Sequence, residues 1–317
     1  MLISLSGCAK NQNSVSPVDS TKIPVTMPLP KLSGKLLFHR YDQYGDAANI
    51  YLYNFDSDEL SCLSTNWNIF NPINALFNAQ GTQIVFMGES IQFGKWDIYL
   101  WTLGSSNPPI NLTALDGSRD EDAHFSPDGT HICFKQTTAN GVGNIKIMDL
   151  QGVITQVVTT NTIESSMPCF TQDATALIYA RGNGSTSDIY MVNVDGSNNH
   201  SLANMVDVQE YYPIVSGAST FFYTRWYSSG NPHDQIYLGN FTNHTNIILA
   251  FNTSTADYSD PFPCTPDLVV FSCDGKNGAG AYDLCIASLS TGQIWSLSEY
   301  NAQINGSINE LGACYSK

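Results

Sequence analysis

A three-residue strand opening that returns at nearly equal steps constrains this chain more than any other feature of its sequence. A polar residue, an aliphatic one and usually a tyrosine stand at Asn49-Ile50-Tyr51, Asp97-Ile98-Tyr99, Asn144-Ile145-Lys146, Asp188-Ile189-Tyr190, Gln235-Ile236-Tyr237 and Asp283-Leu284-Cys285, with steps of 48, 47, 44, 47 and 48. A repeat of that length is one four-stranded propeller blade. Ahead of each opening lies an apolar run: KLLFH, QIVFM, HICFK, ALIYA, TFFYT and LVVFS. Their β-branched and aromatic content predicts strands buried between blades. Between Phe125 and His131 the turn is Ser126-Pro127-Asp128-Gly129. Pro presets the first turn dihedral and Gly takes the positive one, so a hairpin follows.

The first strands of the units read as ALFNAQG (75–81), AHFSPDG (123–129), PCFTQDA (168–174), PIVSGAS (213–219) and FPCTPD (262–267). The first unit has no such strand, and residues 313–317 supply one at the other end of the chain. The fold class expected is all-β: a six-bladed propeller of four-stranded antiparallel blades, its ring closed by the C-terminal strand joining the N-terminal blade. Closure removes unpaired strand edges.

Phe125-Ser126-Pro127-Asp128-Gly129, the Asp-Ile-Tyr openings and Val194-Asp195-Gly196-Ser197 before a Leu-containing fourth strand together resemble the TolB-type six-bladed propellers. These are related to the N-terminal propellers of prolyl-oligopeptidase-like proteins. The resemblance runs from about Lys35 to Lys317 and implies the fold more than the function, because propellers carry many activities. Leu5-Ser6-Gly7-Cys8 resembles a bacterial lipobox, which implies lipid attachment at Cys8. The segment after it is rich in Ser, Asn, Pro and Thr, as a flexible tether is. Residues 1–34 are therefore expected to be a truncated signal and tether, and 35–317 the propeller, on a protein facing the periplasm or the cell exterior.

A net charge of −15 with only 13 Lys plus Arg excludes nucleic acid and an anionic membrane surface as partners. No apolar run is long enough to cross a bilayer. The chain is expected to be a monomer that meets the membrane only through Cys8. Seven further cysteines fall in strands; Cys273 and Cys285 flank one hairpin loop, a placement that permits a disulfide.

Propellers bind ligands where the loops leading into the innermost strands converge. Those stretches carry Asp120, Glu121, Asp122, Glu164, Asp207, Glu210, Asp257, Asp260 and Glu310. Carboxylates gathered at one mouth form a negative funnel that favours a cation, a basic peptide or an amine. Such oxygen-rich loops also suit Ca²⁺, although no cofactor is required by the sequence. Aromatic side chains accompany them: Trp67, Trp96, Tyr211, Tyr212 and Trp226, with Tyr41, Tyr44, Phe70, Phe93, Tyr258 and His233 nearby. Rings beside Asn and Asp serve as stacking surfaces for sugars and peptides.

No HExxH, GxSxG or P-loop pattern is present. His124, beside Glu121 and Asp122, is the one candidate base or metal ligand, with Glu121 as its acidic companion. Some propeller lyases that cleave pectin fragments use a His-rich metal centre on a related scaffold, and the sequence places no such cluster here. The function expected is non-catalytic binding of a peptide, protein segment or glycan at the channel mouth. The alternative is a carbohydrate-active enzyme, a polysaccharide lyase or glycoside hydrolase, at the same mouth.

Overall fold

The computed structural model describes residues 27–41, 48–90, 95–114, 117–137, 139–183, 186–227, 230, 233–274 and 282–317. The chain divides into Met1–Pro30 and Lys31–Lys317, and the second unit carries all of the described strands. Cys8, Tyr44 and Phe93 lie outside the described residues.

The strands fall into antiparallel meanders in chain order. The first holds β1 (Lys35–Tyr41), β2 (Asn49–Asn54) and β3 (Glu59–Cys62). The second is β4 (Phe70–Phe77), β5 (Gln83–Glu89), β6 (Trp96–Thr102) and β7 (Ile110–Asn111). The third is β8 (Arg119–Phe125), β9 (His131–Thr137), β10 (Gly143–Asp149) and β11 (Ile154–Val157). Next come β12 (Glu164–Phe170), β13 (Ala176–Asn183), β14 (Thr186–Asn193) and β15 (His200–Ala203), then β16 (Val208–Val215), β17 (Thr220–Tyr227), β18 (Gln235–Asn240) and β19 (Asn246–Ile248). The last are β20 (Tyr258–Pro263), β21 (Leu268–Asp274), β22 (Tyr282–Ser288), β23 (Ile294–Ser296) and the terminal β24 (Asn309–Ser316). Four sheets have four strands each; β12 to β19 form one eight-stranded sheet, joined at its middle by the single parallel bridge Ser187↔Gln209. β24 pairs with β1 from Lys35↔Ser316 to Tyr41↔Asn309, so the N-terminal meander becomes four-stranded through the C-terminus.

Burial explains the strand compositions. The second strands are covered on both faces: Leu36, Leu37, Phe38, Ile84, Val85, Phe86, Ile132, Cys133 and Phe134 are all essentially inaccessible. Continuous apolar runs are what such double burial requires. The core clusters each span consecutive meanders, as where Phe222 and Ile236 pack on Val269, Phe271 and Cys285. The SPDG turn works through its aspartate, whose Oδ1 accepts from Ser126 Oγ at 2.6 Å and Thr130 N at 3.0 Å, with Gly129 at φ 72°. In the next meander Asp173 repeats the arrangement, and Ala174 holds the left-handed position at φ 57°.

Cys273 and Cys285 form a disulfide across β21 and β22, with Cα atoms 6.2 Å apart and a sequence separation of 12. A loop that short contributes about 3 kcal/mol by restricting the unfolded chain. The double variant Cys273→Ala/Cys285→Ala is expected to lose roughly that much stability in urea unfolding. Unchanged stability would mean that the bridge constrains nothing.

One difference from the sequence expectation governs the rest. The innermost strands begin earlier than their apolar cores suggest: β8 opens at Arg119, β12 at Glu164 and β16 at Val208. Most of the acids expected in loops lie in strands, with defined side-chain directions, while Asp207 and Asp257 immediately precede β16 and β20.

Candidate functional site

Each innermost strand contains an irregularity at an equivalent place, and β4 has a second one between Phe70 and Ile73. The register slips between Ile73 and Leu76 in β4, Glu121 and His124 in β8, Ser166 and Cys169 in β12, Tyr211 and Ile214 in β16, and Ser259 and Phe262 in β20. β24 slips against β1 in the same way. Inside each slip one residue takes a left-handed conformation: Asn74 (φ 53°), Asp122 (57°), Met167 (53°), Tyr212 (48°), Asp260 (51°) and Gly312 (63°). Five of these carry side chains, and each costs on the order of 1–2 kcal/mol of backbone strain. A bulge re-aims the side chains around it. Here all six residues line one cavity of about 110 Å³, which also receives Leu76, His124, Ile214 and Phe262.

Hydrogen bonds pass from one bulge to the next. Met167 N–H donates to Asp122 Oδ2 at 3.1 Å, and Tyr212 N–H to Met167 Sδ at 3.4 Å. The Gly312 backbone favours the ionised form of Asp260. Gly312 itself has no side chain to offer, and His39 of β1 fills the space: a Cβ on Gly312 would lie 2.8 Å from His39 Nδ1. That nitrogen takes the Asn74 N–H at 3.4 Å. Burial pushes His39 down to about 3, so its ring is neutral and Nδ1 is free to accept.

The cavity lining holds two carboxylates and no lysine or arginine. Burial, with Asp234 nearby, pushes Asp260 up to about 7; its Oδ1 is shielded and has no hydrogen-bond partner, while Oδ2 stands 3.4 Å from Ser272 Oγ. Burial also raises Asp122, against the pull of Lys135. The Tyr212 hydroxyl is held protonated by burial and by Asp260 and Asp122. His124 is tied at both nitrogens: Nδ1 lies 2.9 Å from the Phe125 carbonyl and Nε2 3.6 Å from Cys169 Sγ. Burial of that ring opposes its protonation, yet Cys169 and the carbonyl outweigh it and raise the His124 pKa.

The other candidate residues are placed differently from the cavity pair. Asp120, Glu210 and Glu310 are wholly buried and turn into their own sheets. Asp120 accepts from Gln136 Nε2 at 3.0 Å, Glu210 from Arg225 Nε at 2.9 Å, and Glu310 from Arg40 Nε at 2.9 Å. Glu121 pairs with Lys135 at 2.8 Å and Arg119 at 2.6 Å, and the more exposed Glu164 meets Lys135 at 3.3 Å. The Tyr211 hydroxyl donates to Asp234, which burial and Asp257 raise to about 6 despite that bond. Trp67 stacks on Phe86 at 5.0 Å, which makes it a core ring, while Trp96 lies 5.8 Å under the Arg119 guanidinium. Trp226 sits opposite Gln209 in the β16–β17 ladder.

Sequence reasoning gathered too many acids and missed Asn74, Met167 and His39. Only an alignment of the inner strands on their bulges would have found them, and no glycine marks five of those bulges.

Comparison with known proteins agrees with this architecture. The TolB beta propeller domain model matches residues 29–211. No curated protein matches the chain by sequence. Among solved structures, TolB from Acinetobacter baumannii superposes with a TM-score of 0.68 at 17% identity, covering 90% of this chain and 67% of that one. Hydrazine synthase of Kuenenia stuttgartiensis gives 0.70 at 14% identity over 89% of this chain and 46% of that one, less than half its length. Oligogalacturonate lyase from Vibrio parahaemolyticus gives 0.57 at 12% identity, covering 83% and 79%. Identities this low establish the fold alone. With repeated four-stranded antiparallel sheets and a family model matched over more than half its length, the chain belongs to the TolB beta propeller domain family.

Proposed function

We propose that this protein is a six-bladed propeller, closed by β24, that binds a basic segment of another protein at its channel mouth without catalysis. The observation that carries the reading is Asp260 Oδ1, shielded and without a partner on a cavity wall that also bears Asp122 and no lysine or arginine. A buried acceptor without a donor costs free energy that a ligand's N–H recovers. An ammonium or guanidinium group entering the cavity would supply donor and charge together.

Size decides between peptide and glycan. About 110 Å³ is well below the roughly 300–1,000 Å³ of pockets that enclose whole small molecules. It suits one inserted side chain, with the rest of the ligand lying across the mouth. The carbohydrate-active reading gains less support: among the described residues only His124 of the histidines lines the cavity, and both its nitrogens are engaged. The family membership and the lipobox-like start fit a monomer at the bacterial cell envelope, tethered through Cys8.

The test is calorimetric titration of a lysine-bearing peptide into the wild type and into Asp122→Asn/Asp260→Asn. Asparagine retains an oxygen for the Met167 amide and for Ser272, so folding should survive. Affinity is expected to fall about 10- to 100-fold, the worth of one or two charge-assisted bonds. Equal affinity in a folded variant would refute the proposal.

A further inference from the structure

We propose that His233, Asp257 and Asp274 form a binding site for one divalent first-row transition-metal ion. The imidazole and the two carboxylates come from three segments: His233 precedes β18, Asp257 precedes β20, and Asp274 ends β21. One donor atom from each lies within 4.8 Å of the other two. His233 Nδ1 and Asp257 Oδ2 stand 3.4 Å apart. Ligand atoms about 2.1 Å from a tetrahedral ion are ~3.4 Å from one another, so this pair is already at binding distance.

The carboxylates are oriented before any ion arrives. Asp257 Oδ1 takes the Asp234 N–H at 2.7 Å, and Asp274 Oδ1 takes the Asp257 N–H at 2.8 Å. Each aspartate thus has one oxygen anchored to the backbone and the other left to coordinate. Backbone bonds knit the same segments together, from Tyr258 N to Asp234 O at 2.9 Å and from Asp274 N to Asp257 O at 3.1 Å. Anchoring of this kind is what the outer shell of a metal site provides.

Charge gives an argument independent of that geometry. Several buried acids elsewhere have basic partners: Glu210 has Arg225, Glu310 has Arg40, Glu121 has Lys135, and Asp97 has Lys95. Among the described residues neither Asp257 nor Asp274 pairs with a lysine or arginine, although the Asp257 side chain is only 21% exposed and that of His233 29%. Carboxylates drawn partly out of water without a basic partner call for another cation. One nitrogen and two oxygen donors suit zinc, manganese or iron(II), whereas Ca²⁺ and Mg²⁺ prefer oxygen alone. Three protein ligands leave a further position for water or for another ligand.

The experiment uses the full chain, stripped with a chelator and dialysed, then titrated with Zn²⁺ and Mn²⁺ while Ca²⁺ serves as the all-oxygen comparator. One equivalent of Zn²⁺ or Mn²⁺ is expected to bind and to raise the melting temperature with concentration. His233→Ala and Asp274→Asn should each weaken that binding at least about tenfold, the scale seen for lesser disturbances of metal sites. Asp274→Asn keeps the oxygen that takes the Asp257 amide, so a metal-free melting temperature like the wild type's shows that the fold is intact. No binding, equal binding in wild type and both variants, or Ca²⁺ binding in preference and unaffected by His233→Ala would each overturn the assignment.

Discussion

Arg225→Ala should destabilise the protein by about 3–5 kcal/mol, the usual result of leaving a buried charge without its partner. The Glu210 side chain is fully inaccessible and that of Arg225 is 10% exposed. The guanidinium also donates to Tyr223 Oη at 2.9 Å and lies 4.1 Å from the Tyr237 ring centre. Even with Arg225 present, burial holds Glu210 up to about 7. Without the arginine, Glu210 rises further and is neutral in mild acid, where an uncharged carboxyl is cheaper to bury. The loss measured by urea unfolding should therefore be larger near pH 8 than near pH 5. The paired replacement Glu210→Leu/Arg225→Met should recover most of it, since a buried ion pair is worth little against well-packed apolar groups. A loss independent of pH would assign the effect to packing on Tyr237 rather than to charge.

Removing residues 313–317 is expected to be more severe, abolishing cooperative folding or driving aggregation. The deletion takes away the partners of Lys35, Leu36 and Leu37 in β1. It also removes buried Ala313 and Cys314; the Cys314 sulfur accepts the Phe77 N–H at 3.4 Å and lies in the core cluster with Leu37, Ile84 and Phe86. An open β1 edge would then present unpaired backbone groups beside an uncovered apolar face. Size-exclusion chromatography and thermal unfolding decide the matter, and a monomer melting like the wild type would show that the β1–β24 pairing is not needed for folding.

The parts of the fold legible in the sequence are those enforced by burial. KLLFH, QIVFM and HICFK leave no face for water, so each had to be a central strand, and the near-constant spacing of the Asp-Ile-Tyr openings gave their order. The C-terminal pairing followed because the first unit lacked a strand and Ala313-Cys314-Tyr315 had no other partner. The site was legible only in outline. Asp120 and Asp122 are two residues apart and would share a face on a regular strand. The bulge between Glu121 and His124 separates them, sending Asp120 to Gln136 and Asp122 to the cavity. Nothing local marks that bulge, because a glycine stands at only one of the six equivalent positions. The exchange of Gly312 for the His39 ring is likewise visible only once β1 and β24 are side by side.

If the cavity carboxylates receive a cation, binding depends on pH. Asp260 is pushed up to about 7 by burial and by Asp234; Tyr41, Tyr211, Tyr212 and Tyr282 feel its charge, and the cavity wall bears His124 but no lysine or arginine. A cationic ligand binds the ionised form, so it must displace the proton that Asp260 holds below that value. Calorimetry of a lysine-bearing peptide near pH 6 and near pH 8, in buffers of different ionisation enthalpy, should show tighter binding at the higher pH and proton release at the lower. Affinity that stays constant across that range, with no proton released, would contradict the account.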